Sequence, residues 1–98
     1  MVKHVVCFKL KDCTPEKAEA ARDLLLTMRG KVPEIVGLFA GADFLHSERS
    51  YDVILEVTVR DREALERYQR DPYHCGTIKP YMHAAREASV AVDVEIPD

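Results

Sequence analysis

Apolar and polar residues alternate along three stretches of the chain, a pattern typical of β-strands that bury one face. The stretches cover residues 2–11, 51–59 and 89–96. A further extended stretch, about residues 35–43, contains Gly37 and Gly41. Because glycine weakens a strand interior, we expect this strand at a sheet edge or with a bulge.

Two stretches with apolar residues at helical spacing lie between these strands. The first follows Thr14, a residue type that caps helices, and predicts a helix over Pro15–Arg29. The second follows Asp61, another capping residue, and ends before Asp71, which a proline follows. Residues 73–87 are ambiguous, since their apolar residues have helical spacing but a proline interrupts them.

The predicted order β-α-β-β-α-β favours an α+β, ferredoxin-like fold in which two helices cover one face of a four-stranded antiparallel sheet. With 98 residues, the chain is predicted to be a single domain, residues 1–98. The helices are expected to cover the face that carries Val6, Phe8, Val57 and Val92. The opposite face mixes apolar and polar residues: Val5, Cys7, Ile54 and Ala91 among Lys9, Glu56 and Thr58.

This open face is too apolar to suit water over a whole sheet, so it predicts a homodimer in which two sheets pair. The alternative is a monomer, because an antiparallel sheet can expose one face to solvent.

Charge and cysteine content exclude several classes of protein. The 14 basic and 17 acidic residues give a net charge of −3 without any block of like charge, so neither nucleic acid nor a membrane is predicted as a partner. No apolar run approaches the length of a membrane-spanning helix.

Three cysteines without a CxxC pair predict neither a disulfide framework nor a zinc site and favour the cytoplasm. No metal, nucleotide or flavin motif is present, so no cofactor is expected.

His4 is the first candidate for chemistry, because it falls within an apolar strand face, between Val2 and Val6. A buried imidazole needs partners for its ring nitrogens. His4 is therefore either a structural histidine, bonded to a backbone carbonyl or a tyrosine hydroxyl, or a group on the floor of a pocket that holds a ligand oxygen.

Tyr68 and His74 form the second candidate site. Tyr68 lies on the apolar side of the second predicted helix, and the turn at Asp71 and Pro72 folds His74 back towards it. Imidazole titrates near neutral pH and a phenol can donate to an oxyanion, so the pair suits acid–base chemistry. We expect the His74 imidazole to lie within hydrogen-bond reach of the Tyr68 hydroxyl, directly or through one water, in a cavity that His4 also touches and that Leu25 and Val53 wall. A purely structural pair would have no such cavity.

Five segments together resemble the stress-responsive A/B barrel domain (Dabb) family. They are Val-Lys-His-Val-Val at 2–6, Gly-Lys-Val-Pro-Glu-Ile-Val-Gly at 30–37, Ser-x-Arg-Ser-Tyr-Asp at 47–52, Tyr-x-x-x-Pro-x-His at 68–74 and Val-x-Val-Asp-Val-Glu at 90–95. The resemblance covers nearly the whole chain. It implies a dimeric α+β barrel, in which two ferredoxin-like subunits pair through their open faces.

The resemblance also extends to a plant polyketide cyclase of this kind, which makes olivetolic acid by an aldol closure. It implies that His74 is a base, Tyr68 an oxyanion donor or orienter, and His4 a group that fixes an oxygen. The chain has Val53 where that cyclase has a histidine, and Leu25 near the position of a cyclase tyrosine. The substrate-binding part of the pocket, to which Phe8 is also assigned, is therefore expected to be more apolar.

The sequence thus predicts a protein that binds a small apolar or carbonyl-containing ligand, with cofactor-free proton transfer α to a carbonyl as the enzymatic hypothesis. The alternative is a non-catalytic, stress-associated ligand-binding or structural dimer. A monooxygenase without heme or flavin is a third hypothesis, since related dimeric barrels oxidise quinols, but no residue argues for it.

Overall fold

A computed structural model describes residues 1–97 and shows a four-stranded antiparallel sheet in the order β2-β3-β1-β4. The elements are β1 (Val2–Leu10), α1 (Pro15–Leu26), β2 (Gly37–Ala42), β3 (Val53–Val59), α2 (Arg62–Gln69), a π-helical turn (His74–Ile78), α3 (Lys79–Ala85) and β4 (Arg86–Glu95). The predicted α+β, ferredoxin-like fold is confirmed, and β2 lies at an edge as its glycines indicate.

Side chains cap both predicted helices at the residues that the sequence indicates. The Thr14 hydroxyl accepts a hydrogen bond from the Lys17 amide at 3.2 Å, and the Asp61 carboxylate accepts one from the Ala64 amide at 2.8 Å. The first helix ends at Leu26, three residues earlier than predicted, and turns follow up to Gly30, whose φ is +79°. Glycine adopts this left-handed conformation without steric cost.

The ambiguous segment is helical from residue 72 to residue 85, with the π-helical turn in its middle. Asp71 begins it, because its carboxylate accepts hydrogen bonds from the amides of Tyr73 and His74 at 2.8 and 3.2 Å. The proline that was expected to interrupt the helix, Pro80, is the second residue of α3, which follows the π-helical turn. A π-helical turn widens the backbone, which accommodates the proline ring where a regular helix would clash with it.

The core lies between the helices and the strands β1 and β3. It contains Leu25 and Met28 from the first helical region, Val57 from β3 and Tyr68 from α2, all of them fully buried. β1 pairs with β3 on one side and β4 on the other, so that His4 lies opposite Val57 and Asp93. This register places His4 beneath α2.

One prediction about the sheet faces was wrong. Val92 lies opposite Val5 on the open face and is 60% exposed, whereas Ala91 lies opposite Val6 on the helix side. The helices cover β1 and β3 but leave β4 at the edge. The valines of β4, including Val90 and Val94, therefore point to the open face, where other apolar residues lie. The open face is more apolar than the sequence indicated.

Among residues 1–97, no helix is both long enough and apolar enough to cross a membrane.

Candidate functional site

A cavity of about 200 Å³ lies between the sheet and the helical segments α2 to α3. Five of the six predicted site residues line it: His4, Phe8, Leu25, Tyr68 and His74. The prediction that Val53 lines it was wrong. Val53 is buried in the core on β3, opposite Phe8, but it does not reach the cavity.

His4 is buried in the floor of the cavity, and its Nδ1 bonds the carboxylate of Asp93. A carboxylate accepts hydrogen bonds, so Nδ1 carries the proton of this contact, and Nε2 is the ring nitrogen that Asp93 does not occupy. The structural interpretation expected a backbone carbonyl or a tyrosine hydroxyl as the partner of the ring. Among residues 1–97, the partner is a carboxylate instead. The sequence analysis missed Asp93, although an acidic residue between two strand valines was a signal.

Tyr68 separates the two histidines of the cavity. Its ring stacks on His74, with centroids 4.4 Å apart and planes 24° from parallel, and meets His4 edge-on at 5.8 Å. Its hydroxyl donates to the Met28 sulfur at 3.7 Å, so the direct form of the expected hydrogen bond to His74 is not formed. The π-helical turn places the imidazole of His74 over the face of the phenol ring. The two side chains therefore stack and do not form a direct hydrogen bond. Burial, and then the nearby Asp71, raise the pKa of Tyr68, so it stays protonated.

His74 is 7% exposed, and its Nδ1 has no hydrogen-bond partner among the described residues. Burial and the positive charge of Lys79 lower the pKa of His74 to about 4. The ring is therefore neutral at pH 7. An unpartnered buried polar atom costs free energy, and in the wall of a cavity it is a natural contact for a ligand. A π-helical turn is also a rare structure that occurs frequently at functional sites.

The outer part of the cavity is polar. Gln69, Lys79, His83, Arg86 and Ser89 contribute to its lining. His83 is exposed, as the sequence indicated, and so is His46, which lies in the loop after β2. No group of three or more metal-ligating side chains within residues 1–97 is placed to hold a metal ion.

Fold and site together define a ferredoxin-like protein with a cavity under its helices. The sequence matches the stress responsive A/B barrel domain over residues 2–96, so the chain belongs to the Dabb family. No match to a curated protein was found.

Solved structures of several proteins are similar to this one. A dimeric ferredoxin-like protein of unknown function from Thermobifida fusca shares 22% identity with a TM-score of 0.83, over 97% of this chain and 90% of that chain. An Arabidopsis thaliana protein has the same identity and TM-score, over 100% and 97% of the two chains. The hydroxynitrile lyase of Passiflora edulis shares 15% identity with a TM-score of 0.81, over 99% and 94%. At these identities the likeness shows the fold alone.

Replacing His4 by alanine should lower the free energy of unfolding by roughly 1–3 kcal/mol, because it leaves a void and an unpartnered Asp93 carboxylate. Urea unfolding of the variant and the wild type measures the change. His83→Ala, at an exposed position, is the matched control and should shift stability by no more than about 0.5 kcal/mol. Equal effects of the two substitutions would contradict the buried contact between His4 and Asp93.

His74 should make stability fall in acid. Its folded pKa of about 4 lies below the ordinary value of 6.5, so the unfolded chain binds the proton more tightly. The contribution of the neutral ring to the free energy of unfolding is fully present above pH 6.5 and is lost as the pH falls from 6.5 to 4. At about pH 5 the expected loss is about 2 kcal/mol relative to His74→Gln, which has no titrating ring. Urea unfolding of both proteins across this range is the measurement, and parallel pH profiles would contradict the prediction.

Proposed function

We propose that this protein binds a small carbonyl compound in the cavity and transfers a proton at the carbon next to the carbonyl, without a cofactor. The observation that carries the proposal is the buried, neutral imidazole of His74, which lines the cavity and whose Nδ1 has no partner among residues 1–97. A neutral imidazole with a free nitrogen can accept a proton from a bound molecule.

In the proposed reaction, His74 removes a proton from the α carbon, and the electron pair moves to the carbonyl oxygen to give an enolate. His74 then returns the proton, to the same atom or to another one. This return completes an isomerisation, or it follows a ring closure by the enolate. Because a lowered pKa weakens a base, His74 requires strong stabilisation of the enolate by its neighbours.

His4 is proposed to supply that stabilisation. Its Nδ1 is held by Asp93, so the remaining ring nitrogen, Nε2, is free to contact a ligand oxygen. A carboxylate at Nδ1 fixes the orientation of the ring, and a hydrogen bond from Nε2–H to the oxygen is proposed to stabilise the enolate. Asp93 thus acts through His4, as a positioning residue.

Tyr68 is proposed to orient the site. Its ring stacks on His74 and fixes the plane of the imidazole. Its hydroxyl is bonded to a thioether sulfur, which is a weak acceptor, so a ligand oxygen can compete for this donor. The apolar walls, formed by residues such as Phe8, Leu25 and Leu55, suit the hydrocarbon part of a ligand.

The second candidate is a non-catalytic binding protein with the same ligand. It is favoured by the low pKa of His74, since a group that is protonated only in acid is a poor base at pH 7. The occurrence of a hydroxynitrile lyase on this fold supports the enzymatic candidate.

We further propose that the protein is a homodimer that pairs through the open sheet face. Four exposed apolar side chains on that face would otherwise meet water: Phe39, Val90, Val92 and Val94. Exposed apolar patches of this kind mark interaction surfaces. The similar protein from Thermobifida fusca is described as dimeric, which supports the proposal.

A cytoplasmic location is also proposed. The cysteines Cys7, Cys13 and Cys75 are all free, as expected in a reducing compartment.

The proton-transfer proposal predicts that the protein accelerates deuterium incorporation into small neutral ketones and β-keto thioesters, such as acetophenone and S-ethyl acetothioacetate. His74→Gln should lower the rate by about 100-fold or more, because it removes the base. Proton NMR in heavy water measures the exchange, with His46→Gln in the exposed loop as the control.

Equal exchange by wild type and His74→Gln would remove His74 from the role of base. If the wild type gives no acceleration but the ketones perturb the NMR signals of cavity residues, the non-catalytic binding protein is the correct function.

The dimer proposal predicts about twice the chain mass in sedimentation at micromolar concentration. Val92→Glu should shift the protein to a monomer, because it places a charge at the centre of an apolar interface. Ala84→Glu introduces the same charge at an exposed position on α3 and should leave the dimer intact. A wild-type monomer would contradict the proposal.

A further inference from the structure

We propose that the cavity selects carbonyl compounds that carry a carboxylate, which Lys79 and Arg86 bind at its rim. The inference rests on the proposed function of the same cavity and names the class of its ligand as small oxocarboxylates.

Lys79 and Arg86 are two half-buried cations without carboxylate partners. The Lys79 ammonium donates to the Gln69 carbonyl at 3.1 Å, and the Arg86 guanidinium donates to the Ser89 hydroxyl at 2.6 Å. Neither forms an ion pair with any residue in 1–97. Each keeps further N–H groups that these neutral partners do not occupy.

Some cations of the chain are paired, since Arg22, Arg62 and Arg67 each contact a carboxylate at 2.9–3.0 Å. Lys79 and Arg86 are unpaired within residues 1–97 and, unlike exposed unpaired cations such as Arg29, they are half-buried in the lining of the cavity.

Among residues 1–97, no aspartate or glutamate lines the cavity. Two carboxylates that contact its histidines are already engaged: Asp93 bonds His4, and Asp71 accepts the amides of Tyr73 and His74. A concave site lined by charges of one sign concentrates the opposite charge. The Lys79 charge is felt within the cavity, since it contributes to the lowered pKa of His74.

The size of the cavity restricts where the negative charge can be. A volume of about 200 Å³ holds roughly a dozen non-hydrogen atoms. The anionic group therefore lies close to the reacting carbonyl, and a carboxylate on the same small molecule fits this space. A guanidinium binds carboxylate oxygens through paired N–H groups, and an ammonium adds a point charge.

Phenylpyruvate and its methyl ester are the probes for this inference, because they differ in the carboxylate and share the ketone and the aromatic ring. The wild type should bind phenylpyruvate about tenfold more tightly than the ester, as measured by calorimetry or NMR titration at low salt. Lys79→Gln and Arg86→Gln should each remove most of this preference and leave the affinity for the ester unchanged. Lys79→Arg, which keeps the charge, should retain it.

Lys11→Gln is the matched control, since Lys11 is exposed and lies outside the cavity. It should leave the preference intact. Thermal melts of all variants establish that each one is folded.

Equal affinity of the wild type for the two probes would overturn the inference while leaving the proposed function standing, because both probes would still bind. A preference that persists in both glutamine variants would also overturn it. Absence of binding by either probe up to about 10 mM would overturn it as well. The proposed function is tested separately, by deuterium exchange into neutral ketones.

Discussion

The register between β1 and β4 is the constraint on which both the cavity and the open face depend. It places His4 opposite Asp93 on the helix side, and Val5 opposite Val92 on the other side. Because side chains alternate along a strand, a shift of one residue would exchange these faces. Asp93 would then point away from His4, and the valines of β4 would leave the open face. One set of backbone hydrogen bonds thus places the carboxylate against His4, which lines the cavity, and the β4 valines on the open face.

The second constraint is the π-helical turn, which begins at His74. It stacks the imidazole on Tyr68 and leaves Nδ1 without a partner among residues 1–97. Burial of this nitrogen works against folding stability, and the proposed ligand contact would satisfy it. Capping by Asp71 and packing of Tyr68 in the core hold the turn in place.

Much of the fold was predictable because local chemistry agrees with the global arrangement. Strand alternation, the capping residues Thr14 and Asp61 and the apolar position of Tyr68 all indicated what the structure shows. The facing of β4 was not predictable in this way. Alternation shows that a strand has two faces but not which one the helices cover, and an edge strand with valines on one side fits either arrangement.

Five of the six residues assigned to the candidate site line the cavity, but their geometry was not predictable. The turn at Asp71 correctly indicated that His74 folds back towards Tyr68, yet the contact is ring stacking. A change from α- to π-helical bonding depends on packing around Pro80, which spacing does not reveal. His4 and Asp93 are 89 positions apart in the sequence, so their pairing is known only once the strand register is known.

The most direct test of this account is the proton position on the ring of His4. Nitrogen-15 NMR of histidine side chains, at neutral pH, should show a protonated Nδ1 whose proton is strongly deshielded by the Asp93 carboxylate. Asp93→Ala should abolish that signal, while the neutral ring of His74 should persist. A spectrum of His4 that does not respond to Asp93→Ala would contradict the register, and with it the arrangement of the cavity and the open face.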